Sequence, residues 1–236
     1  MLPSVLRRPR ACSAWLRRSL LLTLALVTAC RESPRSAAAE VSKVDVRRLP
    51  PDRAASLPDI MIIAADTGRV LGRDSLPFIF VVSDYQCPEC RRWFETVLPV
   101  VRAEFVETGK ARLTWVHYPL REHPAAVRAA SAAMCASAQG KFWDASARLF
   151  AAQDVWGRAA QPNAIIDSVA NVPGLDAYAF RNCVDSNRML RKLREDIDWA
   201  DTARAGAPLW VMVGARRVRG AELRAWTASI DSALRQ

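Results

Sequence analysis

Two cysteines three residues apart, Cys87 and Cys90 with Pro88 and Glu89 between them, are the side chains of this 236-residue chain best placed to do chemistry. They follow the apolar run Phe78-Ile79-Phe80-Val81-Val82 and stand at the head of a helical pattern. In a helix begun at Cys87, Cys90 lies nearly one turn further on and on the same face, so the two sulfurs can join in a disulfide. The first turn offers unpaired backbone N–H groups and the positive end of the helix dipole, which favour a thiolate at Cys87 over the thiol. Pro88 suits the first helical position, where a missing N–H costs nothing. The chemistry is thiol–disulfide exchange: a substrate thiolate attacks the exposed Cys87 sulfur of the oxidised pair, and Cys90 is the leaving and resolving partner.

The elements that must hold this pair can be read on both sides of it. Phe78–Ser83 reads as a buried strand, and Cys87 to about Thr108 as a helix with Trp93, Phe94, Val97, Val101 and Phe105 inward, kinked at Pro99 and stopped by Gly109. Ala111–Tyr118 is a second strand ended by Pro119, so strand, helix and parallel strand make a βαβ unit with Cys87 at the carboxyl end of its first strand. Residues 122–204 are helical in pattern, an insertion within one sheet domain. Asp144, Asp154, Asp167 and Asp185 read there as helix caps or solvated charges. Ala207–Val213, a turn at Gly214, Arg216–Arg219 and a helix over Ala221–Leu234 close the core. The domain is expected over 59–236, with Ile60–Ile63 as a first strand and Gly68 and Gly72 marking turns.

The amino-terminal residues carry an address. A basic stretch ending at Arg17-Arg18 leads into an apolar run over 19–29, too short to span a bilayer, so residues 1–29 read as a signal peptide. Val27-Thr28-Ala29-Cys30 resembles a bacterial lipobox, which makes Cys30 the expected lipid attachment and mature N-terminus; an ordinary export signal is the other reading. Residues 30–58, rich in Ser, Ala, Pro and Arg, read as a flexible tether reaching on the order of 30 Å. The formal charge of +10 contains five arginines of the leader, without which 29 basic face 24 acidic side chains; the rest is a scattered Arg-rich surface, and no nucleic acid is expected as partner. Cys12 leaves with the leader and Cys30 takes lipid, so four of the six cysteines remain in an oxidising compartment. With Cys87–Cys90 as the reactive pair, Cys135–Cys183 would be a structural bridge; two free buried thiols are the alternative.

The chain resembles the DsbA-like branch of the thioredoxin superfamily over about residues 68–236. The carrying residues are Ser83-Asp-Tyr-Gln-Cys-Pro-Glu-Cys90, Tyr118-Pro-Leu-Arg-Glu-His-Pro124, Met134-Cys-Ala136 with Gly140-Lys-Phe-Trp143, and Gly206-Ala207-Pro208-Leu209 followed by Gly214. The resemblance implies a thioredoxin fold with an inserted helical subdomain, a cis peptide before Pro208 that sets Ala207-Pro208 against the dithiol, and a quinone-linked membrane oxidase as electron partner. Pro208 would press a substrate chain into an extended pose, with the Ala207 backbone offering it strand-like hydrogen bonds. Two departures stand out: Pro-Glu replaces a dipeptide that in strongly oxidising members contains a histidine, and Ala207 stands where Thr or Val usually precedes the proline. An exposed Glu89 should cost the thiolate about 1 kcal/mol against up to about 2 kcal/mol from the helix terminus, giving a Cys87 pKa of about 6–7.

The function expected is thiol:disulfide exchange with exported protein substrates in the cell envelope, as an oxidase, with reduction by the same dithiol as the alternative. No organic cofactor is required. From a different class, the dithiol could carry a metal with His117 or His123 as third ligand, but a packed ring and a helix-entry residue are the plainer readings, and no metal is expected. Trp93, Trp143, Trp199 and Trp226 read as core; Trp210, near Pro208, could line a substrate groove.

Overall fold

The structure is a computed structural model that describes residues 45–48, 65–220 and 222–236. The expected signal peptide, Cys30 and the Ile60–Ile63 strand lie outside the described residues. Among the described residues the sheet has five strands: β1 (Val70–Leu71), β2 (Phe78–Ser83), β3 (Arg112–His117), β4 (Trp210–Val213) and β5 (Arg216–Val218), in spatial order β1-β3-β2-β4-β5. β2 and β3 run parallel, in register from Phe78 opposite Arg112 to Ser83 opposite His117, and the other pairings are antiparallel. The central strands are apolar because the sheet is covered on both faces: Ile79, Val81, Leu113, Trp115 and Val211 have no exposed surface.

The connection from β2 to β3 is helical throughout but not one helix. α1 (Pro88–Thr96) and α2 (Leu98–Val101) meet at Val97, and a π-helical turn covers Arg102–Val106. Pro99 falls in the first turn of α2, where its absent N–H is tolerated, so the break lies two residues before the proline rather than at it. Gly109, at φ 72°, ends the run in a conformation other residues adopt at a cost. Gly72 turns the chain at φ 100°, whereas Gly68 is helical and sits where a Cβ would meet the Ser137 carbonyl oxygen at 2.4 Å; close approach, not a turn, is what it supplies.

Between β3 and β4 lie α3 (Ala126–Ser137), α4 (Phe142–Ala151), α5 (Gln153–Trp156), α6 (Asn163–Ile166) with a 3₁₀ turn over Asp167–Asn171, α7 (Ala177–Asp185) and α8 (Leu190–Thr202). α9 (Leu223–Leu234) closes the chain. Cys135 of α3 is bonded to Cys183 of α7, Cα atoms 5.8 Å apart; closing 48 residues contributes about 4 kcal/mol in the chain-entropy account. Asp167 and Asp185 are not caps: both pair with the buried Arg128 of α3, Asp167 at 2.6 Å and Asp185 at 3.2 Å. Asp176 caps α7 instead, accepting from the N–H groups of Tyr178 and Ala179. Trp199, expected in the core, is partly exposed on α8 and packs against Phe80.

One part of the expected tether is attached to the domain. Residues 45–48 contain a 3₁₀ turn (Val46–Arg48) whose Val46 is buried, while Arg47 lies over the Tyr118 ring at 4.6 Å and pairs with Asp201 at 3.2 Å. A buried Val and a cation over an aromatic ring are enough to dock a short segment.

Candidate active site

β2 delivers Ser83 to the carboxyl edge of the sheet, and the chain then turns through Asp84–Gln86 into α1. Cys87 is the N-cap of that helix: its sulfur accepts from the Cys90 N–H at 3.4 Å, and Pro88 occupies the first turn. The turn is held from outside by Gln153 of α5, whose Nε2 donates to the carbonyls of Tyr85 (2.7 Å) and Cys87 (2.9 Å). Below it Tyr85 is buried, hydroxyl against Ser146 Oγ at 2.6 Å and ring 4.8 Å from that of Phe150. Trp93, one turn beyond Cys90, seats α1 on the aromatic core through Trp115 and Trp226.

The two thiols are free and unlike. Cys87 retains 7% of its surface and Cys90 none, so Cys87 is the accessible sulfur, though far less open than an exposed residue. Hydrogen bonding from the Cys90 thiol, joined by the Cys90 and Glu89 N–H groups, lowers Cys87 to about 7 against the opposing effects of burial and of the Asp84 charge. Burial pushes Cys90 well above the ordinary thiol range, and the Cys87 sulfur adds to it. The first proton lost as pH rises therefore comes from the accessible sulfur, within reach of neutral pH.

The acidic neighbour that opposes this thiolate is Asp84, not Glu89. Glu89 turns its carboxylate to solvent and pairs with Arg92, and its backbone N–H faces the sulfur. Asp84 is wholly buried: its carboxylate accepts from the N–H groups of Gln86 (2.6 Å) and Leu120 (2.8 Å) and pairs with Nδ1 of His123 at 2.7 Å, while its own N–H points at Cys90 Sγ, 3.5 Å away. Asp84 lies just before the dithiol and His123 in the loop after β3, and a lone Asp and a lone His 39 positions apart give no signal that they meet.

The Ala207-Pro208 loop enters β4 just before Trp210, which pairs with Val82 across the antiparallel β2–β4 ladder; this register puts the loop at the same sheet edge as Asp84 and Cys87. The cis peptide falls between Pro208 and Leu209, one bond later than expected. The Ala207 N–H is bonded to the Ala205 carbonyl at 2.9 Å and is not free to bind an extended chain. Trp210 is buried in β4 with Arg217 over its ring at 5.2 Å, so it is core rather than groove wall. His117 is buried against the rings of Tyr85 and Phe142. Among the described residues no group of three His, Cys, Asp or Glu side chains is arranged to hold a metal ion.

A dithiol at the amino end of the helix that follows a parallel strand, with a proline loop at the same sheet edge, defines a thioredoxin-fold thiol–disulfide centre. A Thioredoxin family model matches residues 64–209, and the chain belongs to that family; its fold is that of solved DsbA-type structures. The solved structure of BdbD from Bacillus subtilis, in its oxidised form, superposes with a TM-score of 0.64 at 19% identity, covering 72% of this chain and 95% of that one. The Na(+)/H(+) antiporter NhaA 3 of Salinispora tropica is 30% identical over 179 residues, 74% of this chain but 26% of the antiporter, so the chain spans about a quarter of that relative's length. The probable disulfide bond formation protein D of Bacillus anthracis is 28% identical over 155 residues, 62% of this chain and 70% of that protein.

Proposed function

We propose that this protein is an envelope thiol:disulfide oxidase in which Cys87 is the nucleophile and Cys90 the resolving thiol. The observation that carries the reading is the asymmetry of the pair: Cys87 capped by backbone N–H groups and lowered to about 7, Cys90 buried and pushed up. In the oxidised protein a substrate thiolate attacks Cys87 Sγ and the S–S bond breaks toward Cys90, which takes up a proton because burial disfavours its thiolate. A second substrate thiolate then attacks the substrate sulfur of the mixed disulfide and releases Cys87 as the thiolate its site favours. The substrate gains one disulfide and the enzyme two thiols, a two-electron transfer. Reoxidation then falls to a membrane partner of the quinone-linked type, and a lipid on Cys30 would keep the domain near it.

The name of the Bacillus anthracis relative and the leader at 1–29 support oxidation of exported proteins. Equilibration with glutathione tests the direction: a potential above about −200 mV is expected, and one near −270 mV would make the protein a reductase using the same residues. Cys87→Ser should abolish disulfide formation in a reduced protein substrate; retained turnover would remove the dithiol from the reaction.

A further inference from the structure

Asp84 sets the dithiol a physical problem. Its carboxylate has no exposed surface, its carbonyl accepts the Cys87 N–H at 3.2 Å, and its N–H points at Cys90, so a buried carboxylate is carried on the residue whose backbone holds both cysteines. A carboxylate in that position works against a thiolate at Cys87. The cation set directly against it is His123 at 2.7 Å. The imidazole is partly exposed at the rim of a groove of about 230 Å³ bounded also by Val46, Arg47, Leu120, Arg121 and Val127, so it can exchange its proton with solvent. The Asp84 hydrogen bond holds it above the ordinary imidazole range against partial burial, and the charges of Asp84, Cys87 and Glu122 add to that.

We propose that His123, clamped by Asp84, is the positioning cation that lets Cys87 keep its thiolate beside a buried carboxylate. The inference rests on the exchange reading of Cys87–Cys90 and adds to it a residue outside the motif. The cation comes from the loop after β3, and because it titrates, the charge covering Asp84 is removed as pH rises through the imidazole's range. The charged groups facing the site among the described residues are Asp84, Cys87 and Glu122 around His123, with Asp45, Arg47 and Arg121 on the groove, and Asp84 and Cys90 around Cys87.

Linkage makes the proposal testable without a variant. If the imidazolium stabilises the thiolate, the thiolate stabilises the imidazolium equally, and forming the Cys87–Cys90 disulfide must lower the His123 pKa. The chain has two histidines, and His117 is held neutral by burial down to about 3, so the imidazole proton resonances that titrate well above that report His123 alone. The expected result is a midpoint about one unit higher in the reduced than in the oxidised protein; equal midpoints in the two states overturn the proposal. In the second arm, thiolate absorbance of His123→Gln should give a Cys87 midpoint raised by about one unit, and Asp84→Asn/His123→Gln should bring it back toward the parent, because the charge to be covered is gone. An unchanged midpoint in His123→Gln, or a double variant as high as the single one, overturns it. Neither arm uses turnover: a protein that shows the coupling but forms no disulfide in a substrate contradicts the exchange reading alone.

Discussion

Two buried carboxylates stand at the carboxyl edge of the two parallel strands, and they are neutralised differently. Asp84 follows the last residue of β2 and meets His123, an imidazole open to solvent. Asp196 of α8 accepts the N–H of His117, the last residue of β3, at 2.9 Å, and meets the guanidinium of the buried Arg69 on both oxygens, with Lys192 at 3.4 Å. Burial would push Asp196 up, but the Arg69 charge and hydrogen bonds outweigh it and hold the carboxyl below its usual range. Arg69 also donates to the Trp115 carbonyl at 2.7 Å, so the cluster ties the segment before β1 to β3 and α8. A cation that cannot lose its proton makes a clamp, whereas an imidazole that can exchange its proton with solvent makes a site.

The largest effect should come from breaking the clamp. Asp196→Asn leaves the Arg69 guanidinium buried with only the half-exposed Asp66 as counter-charge, and stability should fall by about 3 kcal/mol in urea denaturation, with the Cys87 midpoint unmoved. A loss below about 1 kcal/mol would mean that Asp66 and water suffice, and that the two carboxylates differ less than their partners do.

Next in size is the acid limb of stability, which separates the two histidines. Both ring nitrogens of His117 are buried without a hydrogen-bond partner, and burial lowers its pKa to about 3, with Arg69 and Lys192 opposing the help of Asp196. The unfolded chain takes up this proton below about 6.5 and the folded one refuses it down to about 3, so stability rises with pH across that window and is lost as pH falls through it. By pH 5 the loss is about 2 kcal/mol. His117→Phe keeps an aromatic ring among Tyr85 and Phe142 and should remove that part of the slope; an unchanged slope would place the acid sensitivity in the carboxylates. His123 has the opposite sign: its folded pKa is raised, so its contribution is present below about 6.5 and lost as pH rises through the higher folded value.

The contrast also marks what could be read from the sequence. Phe78–Ser83, Arg112–His117 and the dithiol between them were legible because alternation, apolar runs and a proline at a helix start are local signals. Arg69, Asp196, Asp84 and His123 were not, because a buried pair is made by chain segments 39 or 127 residues apart and neither member looks different from a solvated charge. The aspartates read as caps show the same limit, since Asp167 and Asp185 find Arg128 only after α3 and α7 have packed. The 45–48 turn escaped for a further reason: its surroundings have the composition of a linker, and the Tyr118, Arg194 and Asp201 side chains that hold Arg47 come from far along the chain.

The smallest expected effect bears most on how the dithiol is set. Glu89 lies between the two cysteines, and its position in the chain invites the view that its charge governs the thiolate. Its side chain is half exposed and paired with Arg92, so its field reaches Cys87 largely through water and beside a compensating cation. At such a surface pair the interaction is worth a few tenths of a kcal/mol. Glu89→Gln should therefore move the Cys87 midpoint by no more than about 0.3 unit, less at higher salt, against about one unit for His123→Gln. If the order were reversed, the motif dipeptide would set the thiolate and the buried Asp84–His123 pair would only brace the loop. With the order as expected, the charge that counts is the one water cannot screen: the buried Asp84 carboxylate, held by the Leu120 N–H and covered by His123, 39 residues further along the chain.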